Sequence, residues 1–358
     1  MKISDSGVSV AVVGATGAVG VEMLAVLEQR KFPVRELKLL ASGRSAGKAM
    51  KFAGREVTLE ALDERSLNGV ELALFSAGSG VSKQFASAAA KQGTVVVDNS
   101  SAFRMDPGVA LVVPEINPQA IPASAGKGAG GGCIIANPNC SAIIMALPLT
   151  PLQRTWGIER IVVSTYQAAS GAGAQAMEEL RTQTLDVLEG RPAKPKVFHE
   201  PYAFNLFSHN ASVNAVSGMN GEEEKMIAET RKIWGDSEVK IAPTCVRVPV
   251  MRAHAQSINV TLASPATLEQ VREAIGGAPG VKLVDDRSAN LFPTPLKASG
   301  QDDVLVGRLR EDLSQTPARF THGSPTLGFE MFVAGDQLRK GAALNAVQIA
   351  EVVFVNRG

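Results

Sequence analysis

Very little in this chain leans to one side. Its 358 residues carry 36 lysines and arginines against 35 aspartates and glutamates, and neither sign forms a block. That argues against a basic surface for nucleic acid and against an acidic disordered tail. Cysteine is scarce. Cys133, Cys140 and Cys245 are an odd number without framework spacing, which excludes a disulfide scaffold and suits a reducing cytosol. Histidine is nearly as scarce, with His199, His209, His254 and His322, and no metal-ligand cluster stands out. No apolar run approaches the roughly 18 residues of a membrane span. Met1 to Gly7 lead straight into a strand-like segment, so no signal or transit peptide is expected. No internal repeat is visible. What remains is 45% hydrophobic, with 34 glycines and 19 prolines, enough for roughly two domains with full cores.

The first half alternates strand and helix signals. Val8–Val13 is a short β-branched run that reads as a buried parallel strand. Gly14-Ala15-Thr16-Gly17-Ala18-Val19-Gly20 follows, and then the helical stretch from Val21 to Glu28. Strand, glycine turn and helix are the context of a dinucleotide fingerprint, with the pyrophosphate at the helix N-terminus. After the next strand, Glu36 to Leu40, the loop Ser42–Lys48 has no carboxylate. It offers Arg44 to stack on adenine and pair with a 2′-phosphate, and Ser42 and Ser45 as donors. That favours NADP over NAD. Further strands are expected at Glu71–Phe75, Gly93–Val97, Leu111–Glu115 and Cys133–Ala136, with a helix from Val81 to Gln92. The loops after two of these strands carry Ser79 and Arg104, at the strand ends where ligands of open sheets lie. Residues 123–132 read as a flexible, uninformative small-residue loop. The pattern is α/β with a mostly parallel sheet.

Asn137-Pro138-Asn139-Cys140 is a turn into an apolar helix. A thiol in the first helical turn feels the positive end of the dipole, which favours the thiolate, the nucleophilic form. Cys133 and Cys245 sit in strand-like runs and are expected to pack as small apolar groups. His254 is a candidate acid–base partner titrating near neutral pH. Beyond Cys140 the strands lengthen, at 159–167, 240–247, 257–263, 304–309 and 328–333, with a helix at 175–188. That suggests a second, antiparallel or mixed sheet. A final helix is expected over Gly341–Ala350. On these residues alone the alternatives stay open: a buried thiol at Cys140, a solvated basic loop at Ser42–Lys48, a surface charge at Arg104, and a structural His254.

Taken in order, Gly14–Gly20, Ser42–Lys48, Asn137–Ser141, Thr165–Gly173, Cys245–His254 and Lys340–Asn345 resemble the aspartate-semialdehyde dehydrogenase family nearly end to end. Tyr202–Asn210 is similar to the form in plant members, so a bacterial protein of that subtype, or a mature form, is implied. The resemblance implies a Rossmann dinucleotide-binding domain, residues 1–139 and 340–358, and an α+β glyceraldehyde-3-phosphate dehydrogenase-like catalytic and dimerisation domain, residues 140–339. It implies a cytoplasmic homodimer or dimer of dimers, and NADP-dependent conversion of 4-phospho-L-aspartate to L-aspartate 4-semialdehyde through a cysteine thioester.

The family motifs also imply roles. Cys140 would be the nucleophile, His254 the acid–base group and Gln167 the residue orienting the intermediate. Gly14, Thr16, Gly17, Ala18, Val19, Ser42, Arg44, Ser45, Ser79, Gly171 and Gln337 would contact the cofactor. Arg247 would hold the substrate α-carboxylate, Glu222 its amino group, and Arg104 and Lys225 the phosphate, with Asn139 beside the reacting carbon. No metal is implied. The nearest rival is N-acetyl-glutamyl-phosphate reductase, the same chemistry on a longer substrate, and the Arg247 motif argues against it. A non-catalytic relative would be expected to lack Cys140 or His254, and a scaffold that only binds NADP remains a rival from another class.

Overall fold

The computed structural model describes residues 6–317 and 319–355. Residues 1–5, part of the stretch Met1 to Gly7 where no signal or transit peptide is expected, and 356–358, the end of the expected C-terminal segment, lie outside the described residues. The chain divides into two compact units, Met1–Asn139 with Ala342–Gly358, and Cys140–Gly341.

In the first unit β1 (Val8–Val13), α1 (Ala18–Gln29), β2 (Val34–Ala41), β3 (Ala49–Phe52), β4 (Arg55–Ala61), β5 (Leu72–Phe75), α2 (Ser79–Lys91), β6 (Val95–Asp98), β7 (Ala110–Leu111) and β8 (Cys133–Ala136) follow one another. They form an eight-stranded sheet in the order β3-β4-β2-β1-β5-β6-β8-β7. Only the β3–β4 pair is antiparallel. The β-branched and leucine-rich strands are buried because helices cover the sheet.

Two expectations fail here. The strand expected over Leu111–Glu115 stops at Leu111, because Asn117 takes over the backbone. Its Oδ1 accepts the Val113 N–H at 2.9 Å and its Nδ2 donates to Leu111 O at 2.9 Å. The small-residue stretch 123–132 is not an idle loop. Ala125 is buried in the core, and a Cβ on Gly126 would lie 2.8 Å from Val353.

The second unit contains α3 (Cys140–Trp156), β9 (Ile158–Gln167), α4 (Ala174–Leu188), β10 (Phe207–Ser208), α5 (Gly221–Trp234), β11 (Lys240–Arg247), β12 (His254–Ala266), α6 (Leu268–Gly276), β13 (Val281–Leu283), α7 (Pro295–Ala298), β14 (Val304–Glu311) and β15 (Thr326–Gly335). Its seven-stranded sheet runs β10-β11-β9-β12-β15-β14-β13 and is mixed. Helices α3, α5 and α6 pack on it. The chain then makes a π-helical turn at Arg339–Ala343 and ends in α8 (Leu344–Phe354). That helix is mostly buried, and it packs with α1 and β6 in the first unit's core.

Candidate active site

Gly14 takes φ +83°, and a Cβ on it would lie 2.9 Å from the Ser76 carbonyl, so only glycine fits this turn. Gly17 then caps α1 without a side chain, leaving Thr16 exposed and the first helical residues, Ala18 and Val19, at a place suited to a phosphate. The loop after β2 is solvent-exposed at Ser42 and Arg44, and turns through a Ser45 N–H to Ser42 O hydrogen bond of 2.9 Å. Ser79 is the first residue of α2, with its Oγ 3.1 Å from Ser101 Oγ. These residues fit the diphosphate and the 2′-phosphate of a dinucleotide, and all lie in the first unit.

Arg104 is buried in the same unit rather than solvated. Its Nε donates to Asn137 O at 2.9 Å and its Nη2 to Asn99 O at 2.7 Å. Asn137 itself donates to Asn99 Oδ1 at 2.6 Å and to Ala342 O at 3.2 Å, and accepts from Asn345 Nδ2 at 2.5 Å. The turn that ends at buried Asn139 is therefore tied to the start of α8. The sequence marks Asn137 only as part of a turn and Asn345 only as part of a family motif, since their partners lie far apart along the chain.

In the second unit Cys140 is the first residue of α3 and is half-buried. A charge on it is felt at Arg247 and at Cys245. Cys245 is fully enclosed, and burial pushes its thiol up to about 12. Cys133, expected to be buried, is half-buried in β8 of the other unit.

His254 opens β12 and is fully buried. Its Nδ1 accepts the Ala168 N–H at 3.0 Å, while its Nε2 has no hydrogen-bond partner among the described residues. Burial first, and then the Arg247 charge, push its pKa down to about 3. The imidazole is therefore neutral, with its proton on Nε2. Gly171 faces that edge: a Cβ on it would lie 2.8 Å from His254 Cε1 and 2.9 Å from Nε2.

Arg247 ends β11 and is buried. Its Nε donates to Asn210 Oδ1 at 3.1 Å and its Nη1 to Ala168 O at 3.2 Å, and the guanidinium lies 5.7 Å from the Phe198 ring centre. That braces one side and leaves Nη2 for an anion. Phe198, Asn210 and His209, which feels the Arg247 charge, thus belong to this site; the sequence marked Tyr202–Asn210 only as a family variant and did not mark Phe198. Gln167, at the end of β9, donates to Glu222 Oε1 at 3.1 Å, and Lys225 reaches Glu222 Oε2 at 3.4 Å. The neighbouring Glu223 is spent on a capping box with Asn220 and on the Cys245 N–H, so the run of three glutamates has one member at the site. Gln337 uses both ends of its amide internally: Oε1 accepts the Ala253 N–H at 2.9 Å and Nε2 donates to Ser170 Oγ.

Among the described residues no group of three His, Cys, Asp or Glu side chains could hold a metal ion, and no helix is long and apolar enough to cross a membrane. Residues 9–124 match the family model for a semialdehyde dehydrogenase NAD binding domain, and residues 149–340 the model for a semialdehyde dehydrogenase dimerisation domain. The aspartate-semialdehyde dehydrogenase of Synechocystis is 51% identical over 353 residues, 99% of each chain. The crystal structure of aspartate semialdehyde dehydrogenase II of Vibrio cholerae, complexed with ASA, is 44% identical. It matches at a TM-score of 0.88 over 97% of this chain and 98% of its own. The Candida albicans enzyme with NADP is 25% identical, at a TM-score of 0.72 over 97% of this chain and 98% of its own. The chain belongs to the aspartate-semialdehyde dehydrogenase family.

Proposed function

We infer that the chain reduces 4-phospho-L-aspartate to L-aspartate 4-semialdehyde with NADPH, releasing phosphate. That step serves lysine, threonine, methionine and isoleucine biosynthesis. The observation that carries the reading is one cluster within the second unit: a thiol at the first position of α3, a histidine with an unpartnered Nε2, the Gln167–Glu222 pair, and braced Arg247.

Arg247 Nη2 takes the substrate α-carboxylate, and Glu222, held by Gln167, takes its ammonium group. The Cys140 thiolate, favoured at a helix start, attacks the C4 carbonyl. His254 Nε2–H donates to the carbonyl oxygen as negative charge develops there. The tetrahedral adduct collapses, the C–O bond to phosphate breaks, and a Cys140 thioester remains. Lys225 is suited to the phosphoryl group. Bound NADPH supplies the hydride that reduces the thioester. Collapse then frees the aldehyde and restores the thiolate.

The glycine turn at Gly14 and the exposed Arg44 loop support NADP(H) as the cofactor, on a cofactor domain of residues 1–139 and 340–358, with residues 140–339 as the catalytic domain. Helices pack on the second unit's sheet, and along β9 half-buried Val162, Ser164 and Tyr166 alternate with buried Ile161, Val163 and Thr165. The half-buried row suits a two-fold partner, so a cytoplasmic homodimer or dimer of dimers is expected; a monomer at micromolar concentration in a sizing experiment contradicts it. The activity is tested with aspartyl phosphate. NADPH oxidation matched one to one by phosphate release is expected, and no oxidation overturns the reading.

A further inference from the structure

Ala253, the residue before His254, holds φ +72°, a left-handed conformation unusual for a residue with a side chain. Such strain persists only where neighbours over-determine it. Here the Ala253 N–H is taken by Gln337 Oε1 at 2.9 Å, and the same amide donates to Ser170 Oγ. All three residues are buried. Ser170 lies in the short turn Ala169–Ala172, which carries Gly171 against the Nε2 edge of His254. Two backbone bonds already join this turn to the approach to His254: Ala169 N–H to Val250 O at 2.8 Å and Ser170 N–H to Met251 O at 3.1 Å. Gln337 carries that seam two residues further, to Ala253, next to the imidazole. Its neighbour Asp336, fully buried, grips the preceding position by accepting from Arg252 Nε at 2.7 Å. Gln337 also stands beside the nucleophile: a Cβ built on Gly341 would lie 3.2 Å from Gln337 Cβ and 2.8 Å from Cys140 Cβ.

We propose that Gln337 is a positioning residue, which fixes the aim of His254 Nε2–H by clamping the strained Ala253 backbone to the Ser170–Gly171 turn. Both ends of its amide are committed inside the protein, so its main work is done before any cofactor arrives. The proposal rests on the reading of His254 as the donor to the reacting carbonyl.

The test is a double-mutant cycle on the full-length enzyme, with Gln337→Met, Gln337→Glu, His254→Asn and the double variant His254→Asn/Gln337→Met. Activity is followed as NADPH formation from aspartate semialdehyde, phosphate and NADP. Gln337→Met keeps the volume and loses both hydrogen bonds. It is expected to lower kcat by about 10–100-fold, the effect of a slightly misplaced reacting group, with KM for NADP within about twofold. Gln337→Glu can still accept from both Ala253 N–H and the Ser170 hydroxyl, and is expected to recover at least part of that loss. In the double variant the Gln337 change should cost nothing further, because the group it aims is gone. A raised KM for NADP with unchanged kcat makes Gln337 a cofactor contact and overturns the proposal. Losses that multiply in the double variant, with His254→Asn itself impaired, also overturn it while sparing the role of His254. A His254→Asn enzyme as active as the parent overturns that role, and the proposal with it.

Discussion

The backbone N–H of Ala168 donates to His254 Nδ1 at 3.0 Å. An imidazolium would bring a second N–H against the first, so this bond and the burial of the ring both hold the histidine neutral. In the proposed mechanism His254 is then a donor to the substrate oxygen, and not a cation paired with the thiolate. His254→Asn should slow turnover by roughly 10²–10⁴-fold, the usual worth of a positioned proton donor. The pH profile of kcat/KM should show no limb between pH 5 and 7 that this substitution removes. Its disappearance in the variant would show that the ring titrates there.

Gly171 leaves room for the same ring. Gly171→Ala puts a methyl group 2.9 Å from Nε2 and 3.2 Å from Arg247 Nη1, closer than such atoms can rest, so the imidazole must move. A loss of about 10²-fold in kcat/KM is expected from that displacement. Steady-state kinetics check it, and an alanine variant of parental activity would mean that neither group acts at its observed place.

We propose that cofactor choice rests on the exposed loop after β2. Arg44→Ala should weaken NADP binding by roughly 1.5–3 kcal/mol, the worth of a charge-assisted hydrogen bond, and leave NAD binding nearly unchanged. Fluorescence titration with both nucleotides separates the outcomes. Equal loss for both, or none for NADP, removes Arg44 from the 2′-phosphate.

His209 gives a stability prediction with a definite sign. Burial, and then the Arg247 charge, lower its pKa from 6.5 to about 4. Above pH 6.5 neither folded nor unfolded chain holds this proton, and the group is silent. As pH falls, the unfolded chain binds a proton that the folded chain refuses, so stability is lost down to about pH 4. Comparing unfolding at pH 7 and pH 5, His209→Asn should lose less stability than the parent, by roughly 1–2 kcal/mol. Equal losses would show that His209 is readily protonated in the fold.

Much of this architecture is legible in the chain itself. Val8–Val13 with its glycine turn, and the Asn-Pro-Asn turn into α3, act locally: β-branched residues, turn formers and helix starts carry their meaning in short windows. The parts that were not legible depend on partners distant in sequence. Asn117 ends β7 early by bonding across the turn. Asn137 meets Asn345, and Gln337 meets Ala253 and Ser170, across long separations that no periodicity marks. The antiparallel pair β3–β4 carries only weak alternation, since most of Ala49–Phe52 faces solvent. Family resemblance pointed to Glu222, but only the fold separates it from Glu223, whose carboxylate is used up as a cap and by the Cys245 N–H.

We propose that Cys140 alone is the nucleophile. Cys245 is enclosed, with its thiol pushed up to about 12, and Cys133 lies in β8 of the other unit. Cys140→Ala should abolish turnover, while Cys133→Ala and Cys245→Ala keep most of it. The most direct measurement is inactivation by an iodoacetyl reagent followed by peptide mapping. The label is predicted on Cys140, appearing in step with the loss of activity and slowed by substrate. Inactivation with the label on Cys133 or Cys245, and Cys140 unmodified, would rule Cys140 out as the nucleophile.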